Sequence, residues 1–568
     1  MPRRVSALLA GLLLATLVYA ADVPKEVEKA PEKAAASADA AKALDQKIMA
    51  DLKAKSEIVK NLTHMCDFIG GRLTGSPALK KANDWTAEMM KSYGLENVHL
   101  EPYEIPIGWE RGICNAKLVE PDTGINLVMC SAGWAPGTHG KIVGDVVIFK
   151  ATKREDLEKY KGKLKNAIIL QREPRKPTPA WVNDPTGGIG GGRPRGPMGG
   201  GNASPMGAGN APAAGGAPPT PDKTPPAPAK TPAAPAAAPP AGGAPPADGG
   251  GFGRGGFNNQ FAQELRDFFK AEGVAAVLSD SNKPQGLLVT TGGWRGKERA
   301  AEQEGTCQLF VANEHYALLW RLASRPAPAK TRVELEVTNK FIPGPITVYN
   351  TVGEIKGSEK PDEFVIVGAH LDSWDLAQGA TDNGTGSMLV LETARVLAKC
   401  GVKPKRTVRF CLFSGEEQGL HGSRNYADAH KDELAKCSMV LVHDTGTGKV
   451  QTIGLQGREV LKPILDKELA SLQEVGVKEI STRSMGGTDH LSFERLGVPG
   501  FACLQDMNEY RFTHHTQTDT VDKVNEENLI QGAQVMAVSA MRVANLDKLL
   551  PRDRPQGQGQ RRPGGGGE

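Results

Sequence analysis

Large aromatic side chains are scarce: only 5% of the 568 residues are Phe, Trp or Tyr, and the formal net charge is just +4. No dense Lys/Arg block with interleaved aromatics occurs, which argues against nucleic acid as a ligand. The eight cysteines (Cys66, Cys114, Cys130, Cys307, Cys400, Cys411, Cys437 and Cys503) form no CxxC pair, so a structural zinc knuckle is not expected. An oxidising compartment would let some of them pair. Cys411 and Cys503 nevertheless sit in apolar, strand-like runs, where a buried free thiol is the expectation. Beyond residue 20 no apolar run approaches the ~20 residues of a bilayer span.

The first twenty residues, MPRRVSALLAGLLLATLVYA, place Arg3 and Arg4 before an apolar run that ends in Val18-Tyr19-Ala20. That is the layout of a secretory signal peptide cleaved after Ala20. The apolar segment is short for a membrane anchor. A secreted, periplasmic or extracellular location is therefore expected, with no membrane span after cleavage.

Composition divides the rest. Residues 21–40 are rich in Ala, Lys and Glu and read as a mobile leader. Leu44, Ile48, Leu52, Ile58, Val59 and Leu62 recur near helical spacing, and a second helix is predicted from Pro77 to Ser92. Residues 112–325 read as a small domain of short strands, such as 141–149, 167–170 and 275–278. Within it, 174–256 is a Pro/Gly/Ala tract that cannot bury apolar surface and is expected to be disordered. Residues 41–111 and 326–550 make up the larger domain. From about 331 the chain alternates strand and helix, which implies an α/β fold. The Gly/Arg/Pro-rich tail, 551–568, is expected to be disordered.

Chemistry gathers where the apolar strands end. Phe364-Val365-Ile366-Val367 leads to His370. Val408–Phe413 leads through Ser414-Gly415 to Glu416-Glu417. Met439–Val442 leads to Asp444, and Phe501–Leu504 leads to His514-His515. Asp382 lies in the small-residue loop Ala380-Thr381-Asp382-Asn383-Gly384. Ligands bind outside the carboxyl ends of strands in open α/β sheets. Two imidazoles and four carboxylates brought together need divalent cations to neutralise them. Imidazole with carboxylate favours zinc, with manganese or cobalt as weaker options. Two ions need a bridging carboxylate, and Asp382 is placed to serve. Glu417 and Asp444 can each add a terminal carboxylate, and His370 and His515 an imidazole each. Glu416 is left over and suits the general base. Asp372 can accept the His370 N–H and fix its tautomer. His421 and His490 read as structural or pocket-lining.

Val367-Gly368-Ala369-His370-Leu371-Asp372-Ser373, Thr381-Asp382-Asn383-Gly384-Thr385-Gly386, Ser414-Gly415-Glu416-Glu417-Gln418-Gly419 and His515-Thr516-Gln517-Thr518-Asp519-Thr520 together resemble the M28 family of zinc peptidases. Arg72-Leu73-Thr74-Gly75-Ser76 is similar to the family's N-terminal part. The resemblance implies a mixed central sheet with helices on both faces, the zinc exopeptidase fold. It implies an inserted, β-rich protease-associated domain at 112–325, and two zinc ions. His370, Asp382 and Asp444 would hold one ion, and Glu417, His515 and the shared Asp382 the other, with Glu416 as base. It further implies a peptide substrate and hydrolysis of a terminal peptide bond, and it leaves room for a homodimer.

Several relatives carry Tyr just before the last ligand His, where this chain has His514. His514 or Tyr510 would then be the oxyanion donor. The fourth ligand motif is His443-Asp444-Thr445-Gly446 rather than an Asp-Met form. Arg511 and Arg483 could hold a substrate carboxylate, and Asp489 and Glu509 a substrate amine, so aminopeptidase and carboxypeptidase or dipeptidase both stay open. A single-zinc glutaminyl cyclase-like acyltransferase and a non-catalytic binding domain are the alternatives from other classes.

Overall fold

The computed structural model describes residues 25–177, 256–294 and 305–553. The signal peptide, most of the Pro/Gly/Ala tract and most of the tail lie outside the described residues. A helix runs over Lys25–Lys55, so the leader expected at 21–40 is helical from Lys25. Its Ala, Lys and Glu are strong helix formers, a preference that the lack of an apolar stripe had hidden. Ile48 and Leu52 on this helix are fully buried, and Asp45 pairs with Arg542 on the helix Glu526–Ala544. The next helices are Ile58–His64 and Pro77–Ser92. Ser76 caps the latter by accepting from the Leu79 N–H at 3.2 Å, with Pro77 in the first turn.

Strand β1 (Glu96–Glu110) then leads away into a second sheet. That sheet contains β2 (Cys114–Glu120), β3 (Asp122–Asn126), β4 (Met129–Ser131) and β5 (Ile142–Ile148). It also holds β6 (Ile168–Leu170), β7 (Ala276–Asp280), β8 (Cys307–Val311) and β9 (Arg332–Val337), in the order β3-β2-β9-β5-β6-β7-β8-β4. The chain returns along β10 (Lys340–Ile355), which pairs antiparallel with β1 over most of its length. The two strands that enter and leave the smaller sheet are thus neighbours. β9 lies beyond residue 325, so the second sheet reaches to Val337. Its alternation of Val333, Leu335 and Val337 with charged residues buries one face into that sheet's core.

The main sheet is completed by β11 (Lys360–His370), β12 (Arg406–Phe413), β13 (Cys437–Val442), β14 (Val450–Gly454), β15 (Glu479–Ser481) and β16 (Gly500–Gln505). Its order is β1-β10-β12-β11-β13-β16-β14-β15, and β12, β11, β13 and β16 are mutually parallel. Parallel strands in the middle of a sheet are buried on both faces. Val365, Val367 and Ala369 face the helices Thr385–Lys399 and Glu526–Ala544. Phe364 and Ile366 face the opposite layer, built on Tyr426 and Phe493 of the helices His421–Ala429 and His490–Glu494. The fold is α/β, a mixed sheet with helices on both faces.

All eight cysteines are free thiols, six of them buried. Among the described residues no helix is long and apolar enough to cross a membrane.

Candidate functional site

Four parallel strands end on the same edge of the main sheet, and each delivers side chains there. His370 closes β11, and its ring is almost fully buried. Its Nε2 lies 3.0 Å from Asp444 Oδ1 and 3.4 Å from Asp382 Oδ1. The closer acceptor for its Nδ1 is the backbone carbonyl of Asp372, at 3.0 Å. The Asp372 carboxylate, expected to take that proton, stands 3.7 Å away. Its oxygens serve other donors: the Thr74 hydroxyl at 2.9 Å and the backbone N–H groups of Glu416 and Glu417 at 3.2 and 3.4 Å. Asp372 thus orients the glutamate pair as well as the imidazole.

β12 turns at Gly415, whose φ of +74° suits glycine, and a Cβ there would stand 2.5 Å from the Tyr103 hydroxyl. Tyr103 also donates to the Ser414 carbonyl at 2.7 Å. The turn presents Glu417 to His515, with Oε2 2.9 Å from Nε2. His515 Nε2 is 3.5 Å from Asp382 Oδ2, and His514 Nε2 is 3.9 Å from the same oxygen. The two imidazoles stack with ring centroids 3.7 Å apart.

Asp382 therefore faces two groups. One ligand atom each from His370, Asp382 and Asp444 lies within 4.8 Å of the others, and so does one each from Asp382, His514 and His515. The loop bearing Asp382 is fixed from outside. Asp519 accepts the N–H of Thr381 at 2.6 Å, its hydroxyl at 2.8 Å, and the N–H of Asp382 at 3.1 Å. Asn383 donates to the His443 carbonyl at 2.8 Å, which ties this loop to the end of β13. Arg72, wholly buried, donates to the carbonyls of Gly70, Leu371, Gln378 and Gly379 and so shapes the segment between His370 and Asp382. The sequence reading gave Asp519 and Arg72 no role, although both fall inside the quoted motifs.

The electrostatics are unbalanced. Burial pushes Glu416 and Glu417 well above the usual carboxylate range, and neighbouring aspartates add to it while His370 opposes. Burial raises Asp444 also. Burial would raise Asp382, but its hydrogen bond to His370, with the His514 and His515 rings nearby, brings it below the ordinary range. Burial would strip the His370 proton, yet Asp444, Asp372 and Asp382 hold that ring well above its usual value. Two buried oxygens, Asp382 Oδ2 and Glu417 Oε1, accept no hydrogen bond. Buried carboxylate oxygens without donors are costly unless a cation meets them. The imidazole and carboxylate donors fit zinc chemistry.

The other expected residues divide. Tyr510 is buried, its ring sits edge-on to that of His514 with centroids 5.1 Å apart, and burial pushes its hydroxyl well above the usual range. Asp489 is fully buried, and burial followed by neighbouring carboxylates pushes it up to about 7 despite His370. Arg511 is half-buried, whereas Arg483 and Glu509 are exposed. His421 packs against the Trp294 ring with centroids 4.7 Å apart, and His490 packs against Gln456.

Known peptidases resemble this chain in sequence and in fold. Residues 350–540 match peptidase family M28. Carboxypeptidase Q of Homo sapiens is 27% identical over 529 residues, covering 92% of this chain and 93% of that protein. A peptidase M28 precursor from Shewanella amazonensis has a similar structure, with TM-score 0.64 and 24% identity over 90% of this chain and 98% of that one. A zinc aminopeptidase from Bacillus subtilis superimposes with TM-score 0.52 at 18% identity, covering 85% of this chain and 93% of that one.

Proposed function

We propose, from the premise that this chain is a metallopeptidase with a family M28 domain at residues 350–540, that it is an exported dizinc exopeptidase acting on peptides or dipeptides. One observation carries the reading: Asp382 belongs at once to the His370–Asp444 group and to the His514–His515 group. A carboxylate shared in this way is what two neighbouring cations require. His370, Asp382 and Asp444 would hold one ion, and Asp382, Glu417 and His515 the other. Bound there, zinc would polarise the scissile carbonyl and lower the pKa of water toward ~7.

The chain's own groups do the rest. Glu416, half-buried and within the electrostatic influence of His370 and Asp444, takes the proton of the attacking water and hands it to the leaving amine. Asp372 holds the backbone of Glu416 and Glu417 in place. His514, kept neutral by burial, donates toward the developing oxyanion, with Tyr510 beside it. Export after cleavage at Ala20 fits the N-terminal layout, and the sheet inserted between β1 and β10 supports a protease-associated domain. Similarity to carboxypeptidase Q along most of the chain favours a carboxypeptidase or dipeptidase over an aminopeptidase.

Metal analysis of the purified protein, alongside a panel of free, N-blocked and C-blocked peptides, tests the proposal. About two zinc ions per chain and cleavage abolished by chelator are expected. Protein that binds no transition ion and cleaves nothing when supplied with one would overturn it.

A further inference from the structure

The smaller sheet reaches the centre through the segment between β7 and β8. Thr290 N–H donates to the His515 carbonyl at 2.9 Å, and Leu288 N–H to Gln517 Oε1 at 2.7 Å. Trp294 on the same segment packs its ring against His421, close behind the glutamate turn. At its start, half-buried Lys283 donates its Nζ to the Arg511 carbonyl at 2.6 Å, three residues before His514. This cation comes from outside the catalytic sheet.

The other cations near the centre are already engaged. Arg72 is wholly buried and gives its donors to carbonyls. Arg111 forms an ion pair with Asp375 at 2.7 Å. The Arg511 guanidinium lies over the Phe512 ring, 4.4 Å from its centroid. Lys283 differs: an ammonium has three donors, one goes to a neutral carbonyl, and among the described residues no carboxylate lies within ion-pair distance of it. Burial pushes it down to about 8, Arg511 adds to that, and Asp382 is the acid that opposes. Once cations engage Asp382, Lys283 loses that compensation too. An anion reaching a partly desolvated ammonium so placed would be held there, since it offsets the loss of hydration.

We propose that Lys283 receives the free α-carboxylate of the substrate at the His514–His515 edge of the centre, so that the enzyme reads the C-terminus of a dipeptide or short peptide. This rests on the exopeptidase reading and adds the residue that would recognise the substrate's C-terminus. A substrate carboxylate beside Lys283 would set the scissile carbonyl one residue inward, toward Asp382 and Glu416. Lys283 is then a specificity residue and takes no part in proton transfer.

The test pairs a dipeptide with its C-terminal amide, using the metal-loaded protein, Lys283→Met and Lys283→Arg. Wild type should prefer the free acid. Lys283→Met should raise KM for the acid about 10-fold or more, leave kcat within about 3-fold, and leave the amide unaffected. Lys283→Arg should keep part of the preference. Equal use of acid and amide by wild type would overturn the proposal, and so would an equal effect of Lys283→Met on both. If no peptide is cleaved, the exopeptidase reading fails separately. Calorimetry with an N-acylamino acid then still decides: binding to wild type that Lys283→Met abolishes supports the carboxylate site, and equal binding to both proteins overturns it.

Discussion

Asp519 holds Asp382 by its backbone, accepting the Asp382 N–H at 3.1 Å while its other oxygen takes both donors of Thr381. The carboxylate facing both clusters is therefore aimed by a second carboxylate that touches neither. Burial pushes Asp519 up to about 7, and the Asp382 charge adds to this against the three donors. Asp519→Asn replaces an acceptor with an amide whose NH₂ would face N–H groups. Metal affinity should fall about 10- to 100-fold, the range for lost outer-shell partners, with kcat reduced alongside. Chelator competition measures it. Unchanged affinity would mean that the Asp382 loop holds its shape unaided.

Glu416 and Glu417 are neighbours in sequence with different surroundings. Glu417 pairs with His515 at 2.9 Å and keeps one oxygen unpartnered, whereas Glu416 is influenced mainly by burial, His370, Asp444 and Asp489. Glu416→Gln should cut kcat by about 10²- to 10⁴-fold with full metal content. Glu417→Gln should lose metal as well as activity. Metal analysis beside steady-state kinetics separates the two. Near-normal turnover by Glu416→Gln would remove it as the base.

Much of this was legible in the sequence because it depends on strand ends. Apolar runs mark β11, β12 and β13, and the first polar residues beyond them mark the sheet edge that carries His370, Glu416 and Asp444. The helix Pro77–Ser92 was readable from its Ser-Pro start. What was not legible depends on long-range pairing. Nothing local in Glu96–Glu110 announces its partner at Lys340–Ile355. Nor does the sequence show that Arg332–Val337 crosses into the smaller sheet, since an amphipathic strand can serve either. Asp519 and Arg72 act on backbone groups far away in the chain, so their residue types alone did not reveal their work. The Asp372 carboxylate, expected on His370, stands 3.7 Å from its Nδ1 and also takes backbone donors of the glutamate turn, which its residue type did not announce.

Arg72 offers a stability test away from the chemistry. Its guanidinium is fully buried and donates to Leu371, Gly70, Gln378 and Gly379 at 2.7, 3.1, 2.8 and 2.7 Å. Arg72→Met keeps much of the apolar stem and strands those carbonyls, each costing about 1–3 kcal/mol when left unsatisfied. Some would find water, so a net loss of about 3 kcal/mol or more is expected. Urea unfolding measures it. A loss below about 1 kcal/mol would show that the 371–379 segment does not depend on this residue.

His443 gives a pH test with a definite sign. Burial pushes its imidazole from an ordinary 6.5 down to about 3, and its Nδ1 has no partner. The folded chain keeps this ring neutral while the unfolded chain protonates it below 6.5. Its contribution is therefore complete above that pH and is lost as pH falls toward 3. His443→Leu abolishes the loss. Relative to wild type, the variant should gain about 1.4 kcal/mol per pH unit below 6.5. Paired urea titrations at pH 7.5 and about 5 check the difference, and a gap independent of pH would contradict it.

Of the proposed ligands, Asp382 should be the least replaceable. His370 and Asp444 approach it from one side and His515 from the other, with His370 3.4 Å from Oδ1 and His515 3.5 Å from Oδ2. If each oxygen serves its own cation, His370→Gln should weaken one ion and His515→Gln the other, each leaving close to one equivalent bound. Asp382→Asn should weaken both, because an amide keeps one neutral oxygen and replaces the second with a donor that repels a cation. Zinc content after dialysis against a weak chelator distinguishes these patterns. Retention of a full single equivalent by Asp382→Asn, with the same affinity as His515→Gln, would mean that the two clusters do not share this carboxylate.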